Sequence, residues 1–202
     1  MITLTAEQHK IIDVAFKRFT KFGHEKTTMA QIAEDLGYSR TFLYYYFPDK
    51  ESILKGAITS RIEKYFQALE KSLKPGMNGF KKVETMLKVK CTCTKDFQAL
   101  GVYTNMELFK IIVNNPDSDL KQVFQKELKY LTSYISEGVK DGSVRKTDPA
   151  KTAKLIIDGL AGYSSITLRR LGYQGKLTAR DQENVGKHQL EYATFLLNGL
   201  KK

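Results

Sequence analysis

The sequence contains no tryptophan, only two cysteines and only four prolines among its 202 residues. Two cysteines cannot build a disulfide-rich scaffold, and so few prolines leave long stretches in which a helix can continue. No apolar run approaches the roughly 18 residues that a membrane-spanning helix requires. The first ten residues lack a basic segment followed by an apolar one, so we expect no secretory signal and a cytoplasmic location. These absences favour a soluble helical protein without a membrane partner.

The sequence patterns of common enzyme classes are also missing. The chain contains no G-x-S-x-G, H-E-x-x-H, G-x-x-x-x-G-K-[ST] or G-x-G-x-x-G motif. Glu84, Glu107 and Asp158 could meet inside a helical bundle, but the E-x-x-H pairs of a di-iron site are absent. Cys91 and Cys93 lie two residues apart, and on a helix such side chains point about 200° apart, away from a shared ion. We therefore predict no catalytic residue, no metal site and no cofactor.

Helical periodicity recurs along the chain without a convincing alternating strand, so we predict an all-α fold of about nine helices. Two capping boxes begin helices near the N-terminus, one pairing Thr5 with Gln8 and the other pairing Thr28 with Gln31. The apolar stripe of the first helix is expected to continue to Phe22. Five later helices are predicted at approximately 79–98, 102–114, 117–140, 149–171 and 180–200.

The segment KPGMNG at residues 74–79 is the clearest break in the chain, because it combines proline, glycine and asparagine. It favours a boundary between two domains. We predict a three-helix N-terminal domain over residues 1–54, a connecting helix over 50–73 and a larger helical domain over 76–202.

Two short helices joined through residues 36–38 fit a helix-turn-helix motif, whose second helix enters the DNA major groove. On a helical wheel Leu43 and Phe47 share one face, which is expected to pack against Ile32 and Leu36. The other side chains of this helix cannot share that narrow face, so we predict that most of them form a surface. The candidates for DNA contact by spacing are Arg40, Thr41, Phe42, the tyrosines of the 44–46 run, and Lys50 on the next helix.

The chemistry of these side chains suits DNA. Tyrosine hydroxyls can donate to phosphate oxygens, Arg40 can reach guanine or phosphate, and Phe42 can meet a thymine methyl group. The same aromatic side chains could instead form a packing platform for another helix, and spacing leaves that alternative open. Net charge does not decide the question, since it is +3 for residues 1–75 and +8 for residues 76–202.

A specific pattern runs through the first helix, the two short helices and the start of the connecting helix. Its residues are Ala15-Phe16, Phe22-Gly23, Thr27-Thr28, Ile32-Ala33, Gly37, Ser39, Leu43, Tyr44, Tyr46, Phe47, Lys50, Glu51 and Leu54. With this pattern, residues 5–54 resemble the N-terminal domain of the TetR/AcrR family of bacterial transcriptional regulators. A weaker resemblance over residues 80–202 rests on helix lengths and on short segments at 107–109 and 142–149.

The resemblance implies that the N-terminal domain binds a double-stranded DNA operator. Two positions depart from the commonest family pattern: Phe42 stands where a small or hydroxylated residue is frequent, and Tyr46 stands where histidine is frequent. The first departure leaves the base preference open. Of the implied contacts, Tyr44, Tyr46 and Lys50 would lie chiefly on phosphates. The full set of implied DNA contacts is Thr28, Arg40, Thr41, Phe42, Tyr44, Tyr46 and Lys50.

The resemblance also implies a homodimer formed by the last two long helices. Apolar and small residues on both helices would allow a second copy to approach closely, giving a four-helix interface. The alternative is that both stripes pack within one chain. The predicted interface residues are Ile156, Gly159, Leu160 and Tyr163 on one helix, with Leu190, Ala193 and Leu197 on the other.

A small-molecule pocket in the C-terminal domain is the third implication. Its candidates are mostly apolar or aromatic, which favours a hydrophobic or aromatic effector, and scattered lysines leave an effector with an anionic head group open. The alternative is that these side chains form ordinary core. The candidates are Met86, Tyr103, Met106, Phe109, Ile112, Phe124, Tyr130 and Tyr163.

Taken with the resemblance, the sequence predicts a transcriptional regulator, specifically a ligand-responsive repressor that binds a palindromic operator as a homodimer. The alternative is an adaptor protein that has the same fold and does not bind DNA sequence-specifically.

Overall fold

The computed structural model describes residues 4–99, 119–172 and 179–202. Within these ranges the chain forms α-helices and, apart from one bridge between Val144 and Lys201, no β-structure. The predicted all-α fold is confirmed, and the predicted helix at 102–114 lies outside the described residues. The helices are α1 (Ala6–Phe22), α2 (Met29–Leu36), α3 (Arg40–Tyr46), α4 (Lys50–Ser72), α5 (Gly79–Ala99), α6 (Asp119–Asp141), α7 (Pro149–Gly172) and α8 (Ala179–Leu200).

Local capping explains where the first three helices begin and end. Both predicted capping boxes are present, with the Thr5 and Thr28 hydroxyls accepting hydrogen bonds from the backbone N–H groups three residues later. Gly37 ends α2 in the left-handed conformation, at φ 69°, which glycine adopts without a steric penalty. Ser39 then caps α3, so only a three-residue turn separates the two short helices.

The prediction that Phe22 continues the buried stripe of α1 is wrong. Phe22 is 46% exposed, whereas Ile11 and Ile12 are fully buried. Phe19 is the last buried residue of this helix, and Phe22 lies one turn beyond it at the helix end. Two cations cover its ring instead, since the Arg18 guanidinium and the Lys21 ammonium lie 5.1 and 5.0 Å from the ring centroid.

Helix α4 connects the N-terminal three-helix unit to the rest of the chain. Near its start, Ile53 and Leu54 belong to the hydrophobic core around α1, and near its end Phe66 and Leu69 belong to the core beside α5 and α6. The buried side chains therefore form one continuous cluster that extends along α4. A displacement of α4 would move both ends of this core.

The start of α5 packs directly on the end of α6 through two glycines. A Cβ atom built on Gly79 would lie 2.0 Å from the backbone nitrogen of Gly138. The first amides of α5 are capped by the last residue of α6 and by the loop that follows it. The Gly79 N–H donates to Asp141 Oδ2 at 2.8 Å, and the Phe80 N–H donates to Ser143 Oγ at 3.1 Å. Hydrogen bonds from Ser143 and Gly79 lower the pKa of Asp141. This junction allows no side chain at residue 79.

Helices α7 and α8 pack on each other within the chain. The rings of Tyr163 and Tyr192 are stacked, with centroids 5.2 Å apart and planes 8° apart. A Cβ atom on Gly159 would lie 2.8 Å from the Tyr192 hydroxyl, so the small residue of α7 accommodates the chain's own α8. Beside them, the buried Gln189 amide donates to the Ser164 hydroxyl. None of the described helices is long and apolar enough to cross a membrane.

Candidate DNA-binding surface

Helix α3 is held in place by its inner face. Leu43 is fully buried and Phe47, which follows the helix, is nearly so, in the same cluster as Ile32 and Ala33 of α2. A helix of seven residues has too few internal hydrogen bonds to be stable alone. The packing of Leu43 and Phe47 therefore determines which side chains α3 presents outward.

The outer face of α3 carries most of the side chains that the sequence predicts to contact DNA. Arg40 and Thr41 are exposed in the first turn, and Tyr44 is 51% exposed one turn later. Tyr45, which is a candidate by spacing but is not among the contacts that the resemblance implies, is the most exposed of the run at 82%. Tyr46 is half-buried. Cationic, hydroxyl and aromatic groups thus share one surface, and these are the groups that bind phosphates and base edges.

The aromatic rings of this region form a continuous row. Tyr38 contacts Phe42 with ring centroids 4.5 Å apart, Phe42 contacts Tyr46 at 5.1 Å, and Tyr46 contacts Tyr45 at 5.1 Å. We call these four residues the aromatic row. Tyr38, the first residue of the row, is hydrogen-bonded to α1. Its hydroxyl accepts a hydrogen bond from Lys10 Nζ at 2.6 Å and donates one to Glu7 Oε2 at 2.9 Å.

Thr28 lies at the start of α2 rather than on α3. Its side chain is exposed, and its hydroxyl accepts a hydrogen bond from the Gln31 N–H at 3.3 Å. The N-terminus of a helix carries a partial positive charge, which favours a phosphate group nearby. This position suits the phosphate-contacting role that the resemblance implies, which stays a prediction.

Lys50 has a contact within the chain that the sequence did not suggest. Its ammonium group donates to the backbone carbonyl of His24 at 2.9 Å, which joins the start of α4 to the segment after α1. An ammonium group has three N–H donors, so this bond leaves Lys50 able to reach a phosphate. His24 is buried, and its Nε2 has no hydrogen-bond partner in the described part of the chain. Burial and the Lys50 charge both lower the pKa of His24, which keeps the imidazole neutral.

Comparison with known proteins identifies this domain. Residues 11–57, which contain the helix-turn-helix, match the model of the bacterial regulatory proteins of the tetR family. Residues 11–57 therefore form a TetR-type DNA-binding domain. A helix-turn-helix domain of this type is that of a DNA-binding transcriptional regulator.

Relatives and solved structures extend the similarity beyond this domain. The uncharacterized HTH-type transcriptional regulator YhgD of Bacillus subtilis is 24% identical over 151 residues, which are 73% of this chain and 76% of that protein. The regulator RutR of Escherichia coli K12 is 24% identical over 72% of this chain and 68% of its own length. The fold matches the crystal structure of a transcriptional regulator from Cytophaga hutchinsonii with a TM-score of 0.77 at 24% identity, over 98% of this chain and 100% of that one.

A charged cluster joins α1 of the helix-turn-helix unit to α5 through α4. The Arg61 side chain of α4 is nearly buried, and its guanidinium contacts Asp13 of α1 at 3.0 Å and Asp96 of α5 at 3.2 Å. The same guanidinium lies 4.0 Å from the ring centroid of Phe16 on α1. The sequence analysis did not predict this link. Arg61 lies next to Ile62 within the apolar stripe of α4, and because a buried charge requires a partner, that position was a signal of one.

A second polar cluster lies one turn further along α4. Glu127 of α6 is buried, and its Oε1 accepts hydrogen bonds from the Tyr65 hydroxyl at 3.1 Å and from Lys90 Nζ at 2.7 Å. Burial and the Glu127 carboxylate raise the pKa of Tyr65, so the phenol stays protonated and remains a donor. Sequence reasoning missed this cluster too, because its three members are distant in the sequence.

Of the predicted pocket residues, the structure describes the side chains of Met86, Tyr130 and Tyr163. Met86 is buried, and Tyr130 packs against Phe66 of α4 with ring centroids 5.8 Å apart. Tyr163 instead contacts Tyr192 of α8. The remaining candidates, or their side chains, lie outside the described residues: Tyr103, Met106, Phe109, Ile112 and Phe124.

The two cysteines are free thiols in a partly apolar setting. Cys91 is buried, and burial raises its pKa to about 11, so the thiol is protonated at neutral pH. Cys93 is half-buried, and burial raises its pKa as well. In the described ranges no group of three metal-ligating side chains surrounds either thiol.

Proposed function

We propose that this protein is a ligand-responsive repressor of the TetR family that binds a palindromic operator as a homodimer. The observation that carries the DNA-binding part is the outer face of α3. There Arg40, Thr41 and Tyr44 are exposed on a helix whose opposite side is anchored by Leu43. Phosphate contacts from Tyr44, Tyr46, Lys50 and the Thr28 end of α2 would position α3 in the major groove.

Selection from a random duplex pool with the purified protein, followed by sequencing, tests this proposal. We expect an enriched inverted repeat, since a two-fold dimer presents two copies of α3 to paired half-sites. Enrichment of no sequence, with only salt-labile binding, would contradict the proposal and favour the adaptor alternative.

Two substitutions then test the contacts on the selected duplex. Arg40→Ala should weaken binding by about 1–3 kcal/mol, and Tyr44→Phe, which removes only a hydroxyl, should weaken it by about 1.5 kcal/mol if that hydroxyl donates to a phosphate. Tyr45→Phe is the matched control, because Tyr45 is more exposed but is not among the contacts that the resemblance implies. Fluorescence anisotropy at fixed salt concentration measures all three. Equal affinity of the Tyr44→Phe and Tyr45→Phe variants would argue against the Tyr44 contact.

The dimer proposal is supported by where large apolar side chains remain exposed. Of the eight in the described part of the chain, four are on α7 and α8: Leu155, Ile166, Leu190 and Phe195. Exposed apolar side chains concentrated on two helices favour a protein–protein interface. Of the predicted interface residues, Ile156, Leu160, Ala193 and Leu197 are buried in the chain's own core, Gly159 and Tyr163 are half-buried against α8, and Leu190 is exposed. We therefore propose that the four exposed side chains contact the second copy of the chain, whereas the buried ones pack within each copy.

Introducing a charge on this face should separate the dimer. Phe195 is 72% exposed, so Phe195→Glu should leave the folded monomer intact, whereas burial of the carboxylate in an interface would weaken dimerisation at least about tenfold. Sedimentation velocity over a range of concentrations measures this. Tyr45→Glu, on the exposed face of α3, is the control and should sediment as the wild type. A Phe195→Glu variant that sediments like this control would exclude Phe195 from the interface.

We also propose that a small-molecule effector binds in the C-terminal domain. The apolar and aromatic side chains between α4 and α6, including Phe66 and Tyr130, support a hydrophobic or aromatic ligand. A regulator of the same fold from Saccharomonospora viridis, at 17% identity and a TM-score of 0.74 over 97% of this chain and 98% of that one, was crystallised with choline. Screening small molecules for release of the selected duplex would identify the ligand class.

A further inference from the structure

Phe42 occupies the centre of the aromatic row on the outer face of α3. It is 37% exposed, and its ring lies between Tyr38 at 4.5 Å and Tyr46 at 5.1 Å, measured between centroids. The Tyr38 hydroxyl is itself held between Lys10 and Glu7 of α1. Neighbours on both sides therefore restrict the Phe42 ring, and little conformational entropy would be lost when it meets a ligand.

The chemistry of this ring limits what it can recognise in a major groove. Phenylalanine has no hydrogen-bond donor or acceptor, so it cannot read the polar atoms of base edges. A polar base edge pressed against it would lose its water without gaining a partner, which is unfavourable. Thymine alone presents an apolar group in the major groove, the C5-methyl.

From this geometry we propose that Phe42 is a specificity-determining residue that reads thymine methyl groups in each half-site of the operator. The inference rests on the proposed function, since it assumes that α3 enters the major groove. Arg40 and Thr41 lie exposed in the same turn and provide the hydrogen bonds to neighbouring bases or phosphates. Phe42 adds an apolar contact that selects thymine over cytosine at the same position, because cytosine lacks the methyl group.

The test removes single methyl groups from the DNA. In the duplex selected by the wild-type protein, each thymine is replaced in turn by deoxyuridine, which differs only by the absence of the C5-methyl. Affinity is measured by fluorescence anisotropy at fixed salt concentration. We expect one or two thymines in each half-site at which the replacement weakens wild-type binding about three- to fivefold, the effect of exposing one buried methyl group.

Variants of the protein assign that effect to Phe42. In Phe42→Ala the deoxyuridine penalty should disappear at those thymines, whereas Phe42→Leu, which remains apolar and large, should retain most of it. Tyr45→Ala is the matched control on the same helix and should retain the full penalty. Circular dichroism melting of each variant shows that the helix-turn-helix is still folded, and Phe42→Leu keeps the test valid if Phe42→Ala is unstable.

Three outcomes would overturn the inference. A deoxyuridine penalty of the same size in wild type and in Phe42→Ala would assign the methyl contact to another group. Sequence-specific binding with no penalty at any thymine would exclude methyl recognition while leaving the proposed function intact. Failure to enrich any sequence would contradict the proposed function and this inference together.

Discussion

Replacing Gly79 with alanine should lower the free energy of unfolding by about 3 kcal/mol or more, the upper end of the effects of overpacking. The added Cβ atom would lie 2.0 Å from the Gly138 nitrogen, 2.3 Å from the Gly138 Cα atom and 2.6 Å from the Tyr134 carbonyl oxygen. All three are backbone atoms, so no side-chain rotation can relieve the overlap. The start of α5 would have to move away from α6, and the Gly79 N–H would lose its bond to Asp141.

Chemical denaturation followed by circular dichroism at 222 nm measures this loss, and two other glycines provide a graded series. At Gly138 the closest atom to an added Cβ is a methyl carbon of the Val144 side chain at 2.4 Å, so Gly138→Ala should cost less than Gly79→Ala. At Gly199, near the end of α8, an added Cβ would meet no described atom beyond the adjoining backbone of its own helix within 4 Å. Alanine there should leave stability unchanged or raise it by up to about 1 kcal/mol. Equal stability of the Gly79→Ala and Gly199→Ala proteins would show that α5 and α6 are not in this close contact.

Replacing Leu43 with alanine should lower the free energy of unfolding by about 2–5 kcal/mol and abolish sequence-specific DNA binding. Leu43 is the only residue of α3 that is fully buried, and the cavity left by its side chain would remove the main contact that orients the helix. Without that contact a seven-residue helix does not persist. The DNA-contacting side chains would then lose their common face.

Thermal unfolding by circular dichroism, with hydrogen exchange of residues 29–47, separates this effect from a direct loss of DNA contacts. Leu43→Ala should lower the melting temperature and speed exchange in α2 and α3. Tyr44→Ala, half-exposed on the same helix, should weaken DNA binding with little change in melting, and Tyr45→Ala should change melting just as little. If Leu43→Ala melted at the same temperature as Tyr45→Ala, the packing role of Leu43 would be refuted.

Features specified by local sequence could be predicted well. The capping boxes at Thr5 and Thr28 and the glycine at residue 37 determine helix ends by interactions within four residues, so the ends of α1 and α2 could be read from the sequence. The later helices follow from their apolar periodicity, and α7 begins and ends within one residue of its predicted range. The burial of Leu43 and Phe47 follows from the same periodicity.

Features that depend on distant partners could not be predicted. An apolar stripe shows that Ile156 and Ala193 are covered, but not by what, and here the covering residues belong to the same chain. The Gly79–Gly138 contact and the Glu127 cluster join residues separated by more than thirty positions. The sequence likewise cannot predict whether Phe42 faces DNA bases, because that contact depends on a partner molecule. The sequence predicts which side chains are candidates, and the fold determines which of them meet.

The link through Arg61 has a practical consequence for building hybrid regulators. Exchanging DNA-binding heads between relatives is simplest at the junction before α4, where only residues 47–49 separate two helices. A foreign first helix would then replace Asp13 and Phe16, and of these three partners the nearly buried guanidinium would keep Asp96. A working hybrid should therefore restore both residues on the imported helix, or replace Arg61 with a neutral side chain that needs neither.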